Sequence, residues 1–156
     1  AHPFQTCVRG IQGSLIPVVF ISIVVGYGTA VQATPVFGWL VEQVLSLDMN
    51  PYLLTFVAVN LLAGMTANGT GGVTLFMENF GATILGNPAI NVGALHRIAA
   101  ISGAGFDSLP HNGAIAFQLS VFKLSYKDGY FQQFMMSVLV NLLAGLLAVL
   151  MAVVLF

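Results

Sequence analysis

The chain has 156 residues, 58% of them hydrophobic and 6% charged, with a mean hydropathy of +0.94, whereas an ordinary soluble domain carries about 25% charged residues. Four basic residues and a net charge of -1 exclude an electrostatic footprint for nucleic acid, a single cysteine excludes an intramolecular disulfide, and three scattered histidines give no metal-ligand spacing. This composition places the chain in a lipid bilayer, with no cofactor and no metal expected.

In chain order, residues 1–13 carry neither an initiating Met nor a signal-peptide pattern and read as a loop of a longer protein, with Cys7 a small apolar filler. Ser14 to Ala33 is a run of about 20 apolar and small residues, expected to span the membrane despite Pro17. Its Val24 to Gly28 segment, VVGYG, has the letters of a potassium filter but no preceding pore helix, and close helix packing explains its small residues better. In residues 34–49, Phe37, Leu40, Val41, Val44 and Leu45 recur at helical spacing, with Trp39 as an interfacial aromatic. That predicts an amphipathic interfacial helix, capped by Thr34 before Pro35 and stopped by Asn50-Pro51.

Residues 50–88 hold two apolar segments too short to span, joined at 66–72 by TANGTGG and bounded by Asn50-Pro51 and Asn87-Pro88. This pattern predicts a re-entrant hairpin whose ends emerge on one side. Residues 89–125 predict a broken helix, unwound over 102–112 where ISGAGFDSLPHNG gathers polar residues between apolar halves. Pro110 and His111 are expected in the first turn of the second half, with Asp107 as its cap. Residues 130–156 predict a transmembrane helix, since Phe131 to Phe156 lacks any charge and would extend about 39 Å across a core of about 30 Å. Arg9, Lys123 and Lys127 then share one side, the cytoplasmic one by the positive-inside rule.

Backbone unwound at membrane depth costs several kcal/mol for each unsatisfied group, so two breaks in so short a chain point to a purpose. Transporters aim half-helix N-termini at anionic substrates in this way. At the tip, Thr66, Asn68, Gly69, Thr70, Gly71 and Gly72 supply hydroxyls, an amide and backbone donors. At the break, Ser102, Gly103, Gly105, Ser108, His111 and Asn112 supply the rest, with Gly103 and Gly105 expected to permit the unwinding. Asp107 is a carboxylate where carboxylates are costly, and with His111 it is the candidate for proton coupling. Both could also be plain structural groups, and Ser, Asn and Gly at such places often serve as local caps. Glu78 is expected to be structural, with Arg97 a candidate partner. A hydrolase built from Ser102, Ser108, Asp107 and His111 is the other class weighed, though no Gly-x-Ser-x-Gly elbow appears.

LHRIAAISGAGFDSLPHNGAI followed by LSYKDGY resembles the C-terminal signature of the gluconate permease family of proton-coupled sugar-acid symporters, and NLLAGMTANGTGG and IVVGYGTAVQATPVFGWL resemble its hairpin tip and preceding span. The resemblance implies an all-α membrane protein of the ion transporter superfamily, with this chain one half of an inverted-repeat transporter. It further implies a multi-pass protein of the bacterial inner membrane, in contact with lipid and homodimeric as a full-length chain. Its partners would be protons and a gluconate-like small organic anion, with coupling to sodium as the alternative.

Overall fold

The computed structural model describes residues 3–156, apart from the side chains of Ile16, Pro17, Phe20, Ile21, Val24, Val25 and Leu45. Among the described residues the regular structure is entirely helical, with no strand. Eight α-helices follow in order: α1 (Pro3–Gln32), α2 (Pro35–Leu45), α3 (Pro51–Thr66), α4 (Gly69–Leu85), α5 (Val92–Gly103), α6 (Gly113–Val121), α7 (Tyr126–Gln133) and α8 (Val140–Leu155). A single 3-10 turn, Phe106–Ser108, lies between α5 and α6, and a π-helical segment, Phe134–Leu139, joins α7 to α8. Tyr126–Leu155 is therefore one continuous helix, and among the described residues it is long and apolar enough to cross a membrane. Its exposed Leu143, Leu147, Leu150 and Val154 suit a lipid solvent.

Local chemistry sets most helix starts. Thr34 accepts from Phe37 N at 3.4 Å ahead of Pro35, so α2 begins where a cap and a preset φ coincide. Its Phe37, Val41 and Val44 are buried, while Trp39, Glu42 and Gln43 are exposed. The helix ends at Leu45 with Ser46 as its C-cap, and Asn50 does something other than stop it. Asn50 Oδ1 accepts from Tyr52 N at 3.0 Å and starts α3, again with Pro in the first turn. Asn68, Asn91, Asn112 and Ser125 cap α4, α5, α6 and α7 in the same way.

Helices α3 and α4 form a hairpin closed by Ala67 and Asn68. Gly72 lies so close to α3 that a Cβ there would come within 2.5 Å of Ala63 N. Helix α5 packs beside α3, and at their starts Asn91 N donates to Tyr52 Oη at 2.9 Å. The core lies among these helices, α2 and α8, with Phe76 and Phe80 stacked 5.2 Å apart and Val59, Ile98 and Ala99 against them. Helix α1 meets the hairpin at Gly28, where a Cβ would lie 3.3 Å from Thr66 O. Cys7, read from sequence as an apolar filler, is an exposed free thiol on α1. Arg97 donates to Gly93 O at 3.2 Å within α5, and it forms no ion pair with the exposed Glu78 among the described residues.

Candidate functional site

The hairpin turn and the α5–α6 connection meet through two glycines. A Cβ on Gly69 would overlap Gly103 O and lie 3.1 Å from Asp107 Oδ2, and a Cβ on Gly103 would lie 3.2 Å from Gly69 O and 2.9 Å from Val73 Cγ2. Only two residues without side chains let these backbones touch. Beside the contact opens a cleft of about 380 Å³ lined by Gly69, Thr70, Val73, Ala100, Gly103, Ala104 and Asp107.

Within that cleft, α4 presents its N-terminus. Asn68 Oδ1 accepts from Gly71 N at 3.2 Å and Asn68 O from Gly72 N at 2.9 Å, leaving the amides of Gly69 and Thr70 without a partner among the described residues. Two N–H groups at the positive end of a helix, with the exposed Thr70 hydroxyl beside them, present hydrogen-bond donors to the cleft. Facing them, Asp107 is half-buried, its Oδ1 accepting from Ser108 Oγ at 2.8 Å.

The other expected site residues have their polar atoms committed elsewhere. Ser102 is buried and donates to Ile98 O at 2.7 Å, and Thr66 is buried and donates to Leu62 O at 2.8 Å. Asn112 Nδ2 donates to Ala67 O at 2.9 Å and also to Asp107 O, while its Oδ1 accepts from Ala114 N at 2.6 Å. Asn112 is thus both the cap of α6 and a clasp between the connection and the hairpin turn. Helix α6 begins at Gly113, so Pro110 and His111 lie in the turn ahead of it and Asp107 is not its cap. His111 Nε2 is 2.7 Å from Gly64 O, a carbonyl that can only accept, so this nitrogen carries the proton. Its ring stands edge-on to Tyr27 with centroids 6.1 Å apart, and it does not line the cleft. Neither Ser102 nor Ser108 pairs with His111, so the described residues hold no Ser–His nucleophile and base.

Glycine plays a different part from the one expected. No described glycine has a positive φ, and the left-handed residue of the hairpin turn is Ala67, with φ 51° and ψ 33°. Gly69, Gly103 and Gly105 serve close approach, not unwinding.

The connection itself is held from a distance by residues that sequence reasoning passed over. Asn141 Nδ2 donates to Ala104 O at 3.2 Å, Tyr130 Oη to Ser108 O at 3.2 Å and Tyr126 Oη to Pro110 O at 2.9 Å. All three come from the continuous C-terminal helix, whose π segment packs on the 3-10 turn. Their signal was the i, i+4 spacing of Tyr126 with Tyr130 and of Ser137 with Asn141. No cluster of His, Cys, Asp and Glu suited to a metal occurs among the described residues.

Comparison with known proteins gives one informative similarity. Over 125 residues, 78% of this chain, the sequence is 28% identical to the uncharacterized transporter YxjC of Bacillus subtilis (strain 168). That match spans 26% of the transporter's own length. No family model and no solved structure matches. The chain, helical among its described residues and with a C-terminal helix long and apolar enough to cross a membrane, is therefore similar to about a quarter of a transporter.

Proposed function

We propose that this chain is the C-terminal repeat of an inner-membrane secondary transporter of the gluconate permease type, carrying a small hydroxylated carboxylate inward with protons. The observation that carries this reading is the cleft in which the free amides of α4 and the Thr70 hydroxyl face the Asp107 carboxyl. On this reading α3 and α4 are a re-entrant hairpin, α5 and α6 the halves of a broken helix, and the full-length chain a homodimer whose other repeat completes the site.

The chemistry of coupling follows from what the cleft holds. A substrate carboxylate is attracted to the helix N-terminus but repelled by an ionised Asp107 in the same small space. Protonation of Asp107 removes the repulsion and turns the carboxyl into a donor for the substrate. Proton and anion then bind together and cross with little net charge, which is symport. The sign is fixed: affinity for the anion rises as pH falls. His111, whose Nε2 donates to Gly64 O on the hairpin, is the second candidate for a proton carrier. Similarity to a transporter supports the class, and the sequence resemblance supports the acid.

Uptake of radiolabelled gluconate by cells expressing the full-length protein, with and without a protonophore and competed by other hydroxy acids, tests the proposal. Protonophore-sensitive uptake is the expected result. Uptake that follows a sodium gradient and ignores the protonophore would replace the proton by sodium. Absence of uptake for every acid in the panel would overturn the substrate class.

A further inference from the structure

Asn60 lies in the middle of α3, 2% exposed, and belongs to none of the expected site residues. Its Nδ2 donates to Phe56 O at 2.9 Å, which fixes the direction of the amide. Oδ1 then presses on Gly105, so close that a Cβ there would overlap it. That oxygen is buried and receives no N–H or O–H from the described residues. A buried acceptor without a donor has given up water for nothing, and the Gly105 Cα–H beside it is a weak substitute. Leu142 Cδ2 lies 3.4 Å from the same Cβ position. The amide of Gly105 is already committed to Ser102 O, at 3.1 Å.

An apolar side chain of similar size would occupy this place without an unmet oxygen, so packing alone does not account for Asn60. A second arrangement of the connection does. If the last turn of α5 shifts and frees the Gly105 amide from Ser102, Asn60 Oδ1 is the acceptor already waiting beside it. We propose that Asn60 is a positioning residue for the cleft, acting through Gly105 to balance two arrangements of residues 104–112 and so two placements of Asp107. The unmet oxygen raises the energy of the present arrangement relative to the second. This deepens the transporter reading, because alternating access needs a two-state element beside the bound ligand, although the conformational claim itself stands without it.

The test uses Asn60→Leu in the full-length protein, with two readouts. Hydrogen exchange of purified protein over residues 104–112 should slow by about fivefold or more, because removing the unmet acceptor favours the present arrangement. Maximal uptake velocity should fall while KM for the substrate stays within about twofold, a split that simple loss of folded protein would not give together with slower exchange. Unchanged or faster exchange overturns the proposal, and so does a raised KM at unchanged velocity. Should the leucine variant fold too poorly to measure, Gly105→Ala decides. Its Cβ should speed exchange in the wild-type background and have little further effect in an Asn60→Ala background; equal acceleration in both overturns the contact. Failure of the unsubstituted protein to transport would bear on the transporter reading, while the exchange result would still judge Asn60.

Discussion

The α3–α4 turn and the α5–α6 connection do the same job by opposite means. The turn reverses the chain over Ala67 and Asn68 with groups drawn from its own neighbourhood: Asn68 caps α4, and Asn68 N donates to Ala63 O at 3.1 Å. The connection needs the whole of residues 104–112, and its carbonyls are met by Asn141, Tyr130 and Tyr126 from the C-terminal helix. The turn closes largely with its own groups and one remote donor, Asn112 Nδ2 to Ala67 O, whereas the connection depends on three remote side chains and so has more holds that can be exchanged. On the proposed reading the turn is the fixed wall of the cleft and the connection, with Asp107, the moving one.

The largest expected effect comes from forcing the two regions apart. Gly69→Val places a branched side chain against Gly103 O and Asp107, and uptake should fall to background while the protein still reaches the membrane; uptake above about a tenth of wild type would show that the contact is dispensable. Next is Asn112→Ala, which removes the α6 cap together with the donors to Ala67 O and Asp107 O. A loss of about 2–4 kcal/mol in thermal or denaturant unfolding is expected, against about 1 kcal/mol for a simple cap. A smaller change is predicted for Tyr130→Phe, about 1 kcal/mol, from the single bond to Ser108 O, and it should speed exchange at the connection but not at the hairpin turn. Equal effects on both regions would erase the distinction between them. The smallest effect has the opposite sign: Ala67→Gly relieves a left-handed alanine at φ 51°, is offset in part by the greater unfolded-state entropy of glycine, and should stabilise by about 0.5 kcal/mol, visible as a raised Tm.

How far the sequence could be read follows the same division. Local signals were open to inspection: the spacing of Phe37, Val41 and Val44 locates the buried face of α2, and Thr34-Pro35 its start. The polar run from Ser102 to Asn112 coincides with the connection between α5 and α6, and Gly69, Thr70, Gly103 and Asp107 line one cleft. What stayed hidden depends on three-dimensional neighbours. That Ser102 and Thr66 spend their hydroxyls on their own helices, or that Asn112 reaches Ala67, cannot be read from residue type, because serine, threonine and asparagine serve caps and ligands alike. Glycines misled in a particular way. A Gly-rich run suggests left-handed backbone, yet in the hairpin turn the left-handed residue is alanine, and Gly69 and Gly72 are needed because backbone from another segment occupies the space a Cβ would fill. Asn60 carried no signal, being one amide in an apolar helix whose meaning lies wholly in what faces it.

On the proposed mechanism Asp107 admits the anion to the cleft by taking a proton. Binding of gluconate to the purified full-length protein at acidic and neutral pH, for wild type and for Asp107→Asn, tests it most directly. The account predicts tighter wild-type binding in acid, and for Asp107→Asn an affinity that no longer varies with pH, together with loss of proton-driven accumulation. An Asp107→Asn protein that keeps both the pH dependence and the accumulation would contradict it.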